Sequence, residues 1–193
     1  YDCKGIDMSP LMINIAKRNS DKEGCHIDFE VADIRDYTDG KMYDAVISMF
    51  HVMSYQNKNE DILNAFRTAR KLLDTGGYFL FDVWYGPGVL SDKPCVRVKE
   101  VEDCENTLIR IATPTMHDKE NLVDVDYRVL IINKKTSIAK TINETHIMRY
   151  FFRPEVELLL QEAGFELIQN LDCETLGDTD YDSWTSFFIA RAV

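Results

Sequence analysis

The apolar positions in residues 43–82, YDAVISMFHVMSYQNKNEDILNAFRTARKLLDTGGYFLFD, change their period twice. Ala45, Val46 and Ile47 form a short apolar run that ends at Ser48 and is bounded by Asp44. A run of this length between polar residues predicts a strand. Over residues 60–73 the apolar side chains are Ile62, Leu63, Ala65, Phe66, Ala69, Leu72 and Leu73. That spacing collects them on one stripe of a helix, which Gly76 and Gly77 are expected to stop. Residues 78–81 are a second apolar run, closed by Asp82. Strand, helix and strand in this order predict a right-handed crossover in a parallel sheet. Ligands of such sheets sit beyond the carboxyl ends of the strands, so residues 48–55 and 82–88 are where chemistry is expected.

The flanking segments extend this pattern. Residues 3–6 read as the end of a strand, followed directly by Asp7. Ser9 suits a helix N-cap and Pro10 the first turn of a helix over 11–18. Residues 27–31 predict another strand, ending at Ala32, Asp33 and Ile34. The two prolines and two glycines of 84–94 predict a loop. Beyond it the period becomes two, over 96–102, 107–113, 121–133 and 136–150. In VDVDYRV, 123–129, the alternation is strict. Such stretches predict antiparallel strands with one wet face, joined by turns at 118–121 and 133–135. Residues 95–150 are therefore expected to form an antiparallel insertion within a single domain covering 1–193. A helix over 153–163, stopped by Gly164, and strands over 165–171 and 184–190 complete the α/β pattern.

Composition narrows the partners. The chain has 193 residues, and its net charge of −11 argues against a nucleic-acid backbone as the main partner. A small anionic substrate remains compatible, because a pocket can differ from the whole surface. No apolar run approaches the roughly 20 residues that cross a membrane, and the first residues do not follow a signal-peptide pattern. The five cysteines are scattered, with no C-x-x-C pair. They are expected to be reduced thiols of a cytoplasmic protein, forming neither a disulfide frame nor a zinc site. No H-x-x-x-H, G-x-S-x-G or phosphate-binding G-x-x-x-x-G-K-[ST] pattern is present, and no metal site is expected.

Several strand-end residues carry usable chemistry, each with a plainer alternative. Asp7 can accept hydrogen bonds from a ribose diol, or can cap a turn. Asp33 can accept from an adenine amino group while Ile34 covers the ring, or can form an Asx turn. Ser48, Met49, Phe50, His51 and Tyr55 can line a pocket, although Met and Phe are more often core. His51 is the residue there able to move a proton near neutral pH; a lone histidine is more often structural. Trp84 and Tyr85 offer an apolar wall or a face for a cation, or simply anchor their loop. His146, Arg149 and Tyr150 can reach a polar substrate, or mark a solvated strand end. For Arg149 the second alternative is preferred.

Taken together, GIDMSPLMINIAKRN at 5–19, FEVADIRDY at 29–37, YDAVISMFHVMSY at 43–55 and LLDTGGYFLFD at 72–82 resemble the second to fifth strands of the class I S-adenosylmethionine-dependent methyltransferases. The segments DVWYGPG at 82–88 and HIMRYFFRPEVELLLQEAGFELI at 146–168, with the insertion between them, resemble small-molecule members of the amino-sugar N-methyltransferase type. The resemblance implies a Rossmann-like, mostly parallel sheet with an antiparallel last strand, and S-adenosylmethionine as cofactor. It puts Asp7, Met8, Asp33, Ile34, Ser48, Met49 and Phe50 at the cofactor, and Trp84, Tyr85 and His146 at a small-molecule acceptor. His51 becomes the expected base, with Tyr55 and Tyr85 as positioning groups. The insertion is expected to shape the pocket and to form a homodimer contact. Two other classes stay open: an inactive nucleotide-binding or regulatory relative, and a nicotinamide-dependent oxidoreductase.

The family's first strand and glycine-rich loop would precede Tyr1 and are not in this sequence, so the resemblance implies a sheet truncated at its N-terminal side. The flanking strands must then pair directly, leave a gap, or accept a strand from another chain. This 193-residue chain is accordingly expected to bind S-adenosylmethionine weakly or not at all. Titration calorimetry on it tests this, and micromolar affinity would contradict the expectation.

Overall fold

The computed structural model describes residues 1–193. In chain order the elements are β1 (Lys4–Asp7), α1 (Pro10–Lys22), β2 (Asp28–Val31), β3 (Tyr43–Ser48), a 3-10 turn (Val52–Tyr55), α2 (Asn59–Lys71), β4 (Leu73–Tyr85) and α3 (Gly86–Ser91). Then come β5 (Arg97–Glu102), β6 (Asn106–His117), β7 (Leu122–Asn133), β8 (Ala139–Phe151), α4 (Arg153–Glu162), β9 (Phe165–Asp172) and β10 (Thr185–Ala192).

β4 is the trunk of the molecule. β10 pairs antiparallel along one edge, from Thr185 opposite Trp84 to Arg191 opposite Tyr78, and β9 lies antiparallel outside β10. The other edge of β4 is shared. β3 runs parallel to it as far as Ser48 opposite Phe81, and β8 takes over at Trp84 opposite Tyr150 and Tyr85 opposite Phe151. Between these two partners the loop after β3 occupies the edge. The Asp82 carboxylate accepts from the backbone N–H of His51 at 2.9 Å, and the backbone N–H of Trp84 donates to Ser54 Oγ at 2.9 Å. β8 therefore leaves the antiparallel β5-β6-β7-β8 ladder and enters the main sheet, so the expected insertion is continuous with it.

The amphipathic stripe expected on α2 is the one that is buried: Ile62, Ala65, Phe66 and Ala69 face the sheet. With α4 they cover one face of β4 and β10. There Phe66, Phe79, Phe81, Phe165 and Phe188 pack at ring-centroid distances of 4.7–5.5 Å. Each fully buried ring contributes roughly 1.5–3 kcal/mol. On the other face Val89, Val123, Val125, Met148 and Tyr150 form a second cluster that joins the insertion to α3. Ser9 caps α1, accepting from the Met12 N–H at 3.3 Å.

Three local expectations are corrected. First, α2 ends at Lys71, before the glycines. The backbone N–H of Tyr43 donates to the Leu72 carbonyl at 2.8 Å, so β3 captures the helix end and β4 begins at once. Gly76, with φ of 91°, and Gly77 lie instead within β4, where the β3–β4 register shifts between Tyr43 and Ala45. Second, residues 84–94 are not all loop, since β4 runs to Tyr85 and α3 follows. Third, α1 extends to Lys22 rather than ending near Arg18.

β1 and β2 form a separate two-stranded parallel sheet. β1 pairs only with β2 and β3 only with β4, and a cleft lies between these two unpaired edges. Within this chain the facing edges of β1 and β3 are separated by a gap and do not pair directly.

α3 lies close against the backbone ahead of β10. A Cβ on Gly88 would sit 2.1 Å from the Ser183 carbonyl oxygen and 2.7 Å from Trp184 Cα, so the position requires glycine. Gly88→Ala is expected to lower the unfolding free energy by about 1–3 kcal/mol, the usual penalty of overpacking. Denaturant unfolding followed by tryptophan fluorescence measures this, and an unchanged midpoint would contradict it.

Candidate functional site

The cleft between β1 and β3 has a volume of about 340 Å³, within the usual range for a small-molecule site. Of its 19 lining residues 14 are hydrophobic, among them Ala65, Ala69 and Phe79 of the core beneath the sheet. Asp7, Ile34, Ser48 and Met49 line it, and Ala65 and Ala69 of α2 contribute to its wall. Four of the sequence-derived candidates thus meet in one place. Met8, Asp33, Phe50 and His51 do not line the cleft.

Asp7 combines both of its alternatives. Its Oδ1 accepts from the Ser9 N–H at 2.7 Å and so shapes the turn into α1, while the residue remains exposed at the cleft. Asp33 follows the plainer alternative. Its Oδ1 accepts from the Arg35 backbone N–H at 2.9 Å, and both oxygens accept from the Arg35 guanidinium. That bidentate hydrogen bonding holds its carboxyl below the usual range. Arg35 also reaches Asp61 on α2 at 3.3 Å. Asp33 therefore fastens the end of β2 to α2, leaving Ile34 as the part of the pair in the cleft. Met8 and Phe50 are 62% and 86% exposed.

The turn after β3 is held in an uncommon backbone conformation. Phe50 and His51 both have φ of +64°, which costs roughly 1–3 kcal/mol for each non-glycine residue. Asp82 offsets this. It is buried, accepts from the His51 N–H, and places Oδ2 2.8 Å from His51 Nδ1. The direction of the ring N–H misses that oxygen, so this is a charge contact and not a straight hydrogen bond.

Tyr55 and His146 are brought together from 91 residues apart, with Tyr55 Oη 2.7 Å from His146 Nδ1. Partial burial pushes the Tyr55 phenol up from its ordinary value. Trp84 packs edge-to-face on Trp184 at 4.8 Å, and Trp184 Nε1 donates to the Asp92 carbonyl at 2.9 Å. This is the loop-anchoring alternative.

Tyr85 is a correction. Its partner in the sheet is Phe151, which belongs to the α2–α4 core. Strand alternation points Asp82 and Trp84 to the opposite face. Only 8% exposed, Tyr85 does not share a face with His51. Arg149 is a second correction, because it is buried and not a solvated strand end. Its Nη2 donates to Asn59 Oδ1 at 2.8 Å and to Glu155 Oε1. The sequence reading assigned no role to Asp82, Tyr127 or Glu144. For Asp82 the available signal was its place at the end of a strand beside β3.

Comparison with known proteins agrees with this geometry. Residues 1–77 match the methyltransferase domain family. A curated relative, a dTDP-3-amino-3,4,6-trideoxy-alpha-D-glucopyranose N,N-dimethyltransferase of Streptomyces venezuelae, is 22% identical over 166 residues, covering 86% of this chain and 67% of its own. An S-adenosylmethionine-dependent methyltransferase from Clostridium acetobutylicum superposes with a TM-score of 0.84 at 17% identity, covering all of this chain and 75% of its own. A sugar N-methyltransferase from Streptoalloteichus gives 0.81 at 19% identity, covering 98% and 70%.

The cleft follows the unpaired edges of β1 and β3, and Asp7, Ile34, Ser48 and Met49 lie along it. Ile34 and Met49 supply apolar walls, and Asp7 supplies a carboxylate exposed beside them. Residues 1–77 thus match the methyltransferase domain family, and the whole chain shares the fold of S-adenosylmethionine-dependent methyltransferases.

Proposed function

We propose that this chain, when joined to the glycine-rich loop that the family resemblance implies, methylates an amino nitrogen of a small polar acceptor of the amino-sugar type, with His51 as general base and Asp82 behind it. The observation that carries this reading is the buried Asp82 carboxylate on His51, at the strand end beside the cofactor cleft. The relative that acts on a dTDP-linked amino sugar supports the class of acceptor.

S-adenosylmethionine supplies a methyl group already made electrophilic by its sulfonium. What remains for the protein is alignment, exclusion of water and control of protons. Asp7 holds the ribose diol, and Ile34, Ser48 and Met49 enclose the base. An amine arrives mostly as ammonium, which has no lone pair to attack with. His51 takes its proton, and the Asp82 carboxylate stabilises the resulting imidazolium. The acceptor lies against the face that carries Trp84, Tyr55 and His146.

The insertion also forms the contact between two copies. Every residue of β5 is exposed, Val98 and Val101 among them, and its outer edge is unpaired. Such an edge is usually covered by another chain or blocked by charge. Sedimentation should give twice the monomer mass, reduced to the monomer by Val98→Lys; a monomer throughout would contradict the contact.

In the enzyme that includes the glycine-rich loop, His51→Ala should lower turnover by ~10²-fold or more, the scale of a lost general base. Mass gain of one methyl group, screened over primary-amine acceptors including nucleotide-linked amino sugars, provides the assay. Turnover close to that of the unaltered protein would mean that alignment alone carries the reaction.

A further inference from the structure

The two faces of the β5-β6-β7-β8 ladder carry opposite charge. Side chains alternate between the faces along each strand, and the pairing registers fix which residues share one. The inner face carries Val123, Val125, Met148 and Tyr150, which pack with Val89 of α3. Further out on that face, and His146 aside, the charged residues are Arg97, Lys99, Arg110 and Lys140, against Glu144 alone. The outer face carries Glu100, Glu102, Asp124 and Asp126, with Arg128 as its exposed cation.

Three of the inner cations meet where β5 pairs with β6. Lys99 stands directly opposite Arg110, and Arg97 lies two residues along β5 on the same face. Like charges directly opposite one another in a ladder are destabilising. Nothing in the chain neutralises these. All three side chains are exposed, and none forms an ion pair or a side-chain hydrogen bond. On the outer face of the same hairpin Glu102 shows the contrary arrangement, since it takes Lys134 at 2.7 Å. The Arg110 guanidinium lies 5.4 Å over the Tyr127 ring, and that ring stands edge-on to His146 at 5.1 Å. The patch therefore adjoins the wall that carries His146.

We propose that Arg97, Lys99 and Arg110 bind a phosphate or diphosphate group of a small molecule lying along the inner face. Two guanidinium forks and an ammonium supply more donors and more charge than one carboxylate can use. A phosphoryl group, with several oxygens and more than one negative charge, matches them. A long polyanion does not, because the net charge of −11 repels it beyond the patch. The anion also reverses the sign of the local interaction: three cations that repel one another each gain an attractive partner. On the amine-methylation reading above, the molecule held here is the acceptor, with its anionic end on β5 and β6 and its amine at the rim.

The test titrates inorganic pyrophosphate, and separately a nucleoside diphosphate, into the 193-residue chain and follows binding by phosphorus NMR. Both should bind, and binding should weaken as salt is raised, because exposed charges are screened. Arg97→Gln and Arg110→Gln should each weaken it by about 10-fold, the scale of one charged hydrogen-bonding partner. Arg128→Gln, on the outer face, should leave it unchanged. Lys99→Gln should weaken binding and yet raise the thermal unfolding midpoint of the free chain, because it removes the repulsion from Arg110. A residue of purely structural use would lower that midpoint. Affinity unchanged by Arg97→Gln and Arg110→Gln overturns the site, and so does binding of the nucleoside diphosphate without binding of pyrophosphate, which would assign recognition to the nucleoside. No methyl donor enters the experiment, so its failure leaves the methylation reading to its own assay.

Discussion

A single buried carboxylate, Asp82, organises the rim at the end of β3. Parallel strands β3 and β4 come into register up to Ser48 and Phe81, and β8 then takes over the same edge of β4. The intervening chain must turn tightly across that edge. It does so through two successive residues with positive φ, neither of them glycine. A carboxylate that receives the backbone N–H and contacts the ring of the same residue makes this turn tolerable, and it also aims the histidine.

The rest of the fold supports that arrangement. The five phenylalanine rings beneath β4 fix the strand on one face, and α2 and α4 close over them. On the other face α3 and the Trp84–Trp184 pair hold the base of the antiparallel ladder. Because β8 crosses from that ladder into the main sheet, His146 and Glu144 are carried to the end of β3 by the same strand that builds the sheet. The insertion is thus continuous with the main sheet and not an appendage.

Much of this was legible in the sequence because it is periodic. The stripe on α2, the alternation of 123–129 and the turn at Gly164 each express one physical rule, and each appears where expected. Asp7, Ile34, Ser48 and Met49 were also legible, since strand ends in a parallel sheet converge. What escaped depends on pairings that span the chain. Gly76 and Gly77 look like a helix stop, but the helix end is captured earlier by Tyr43. Tyr85 differs from Trp84 by one position, and in a strand one position means the opposite face. Asp33 is followed two residues later by an arginine that reaches back to it, and this local clamp takes precedence over any ligand. Glu144 reads as one more wet-face residue until its neighbour His146 is seen to touch Tyr55.

The cleft beside β3 and the rim above it adjoin at the end of that strand. The first is apolar and shaped by two unpaired strand edges. The second is polar and shaped by Asp82. The most direct test of the account is a crystal structure of the Asp82→Ala variant. Loss of the carboxylate should let Phe50 and His51 relax to negative φ and swing the imidazole away from the end of β4, with the phenylalanine core unchanged. A turn that keeps both positive angles and the same ring position would show that something other than Asp82 holds the rim, and would contradict the central claim.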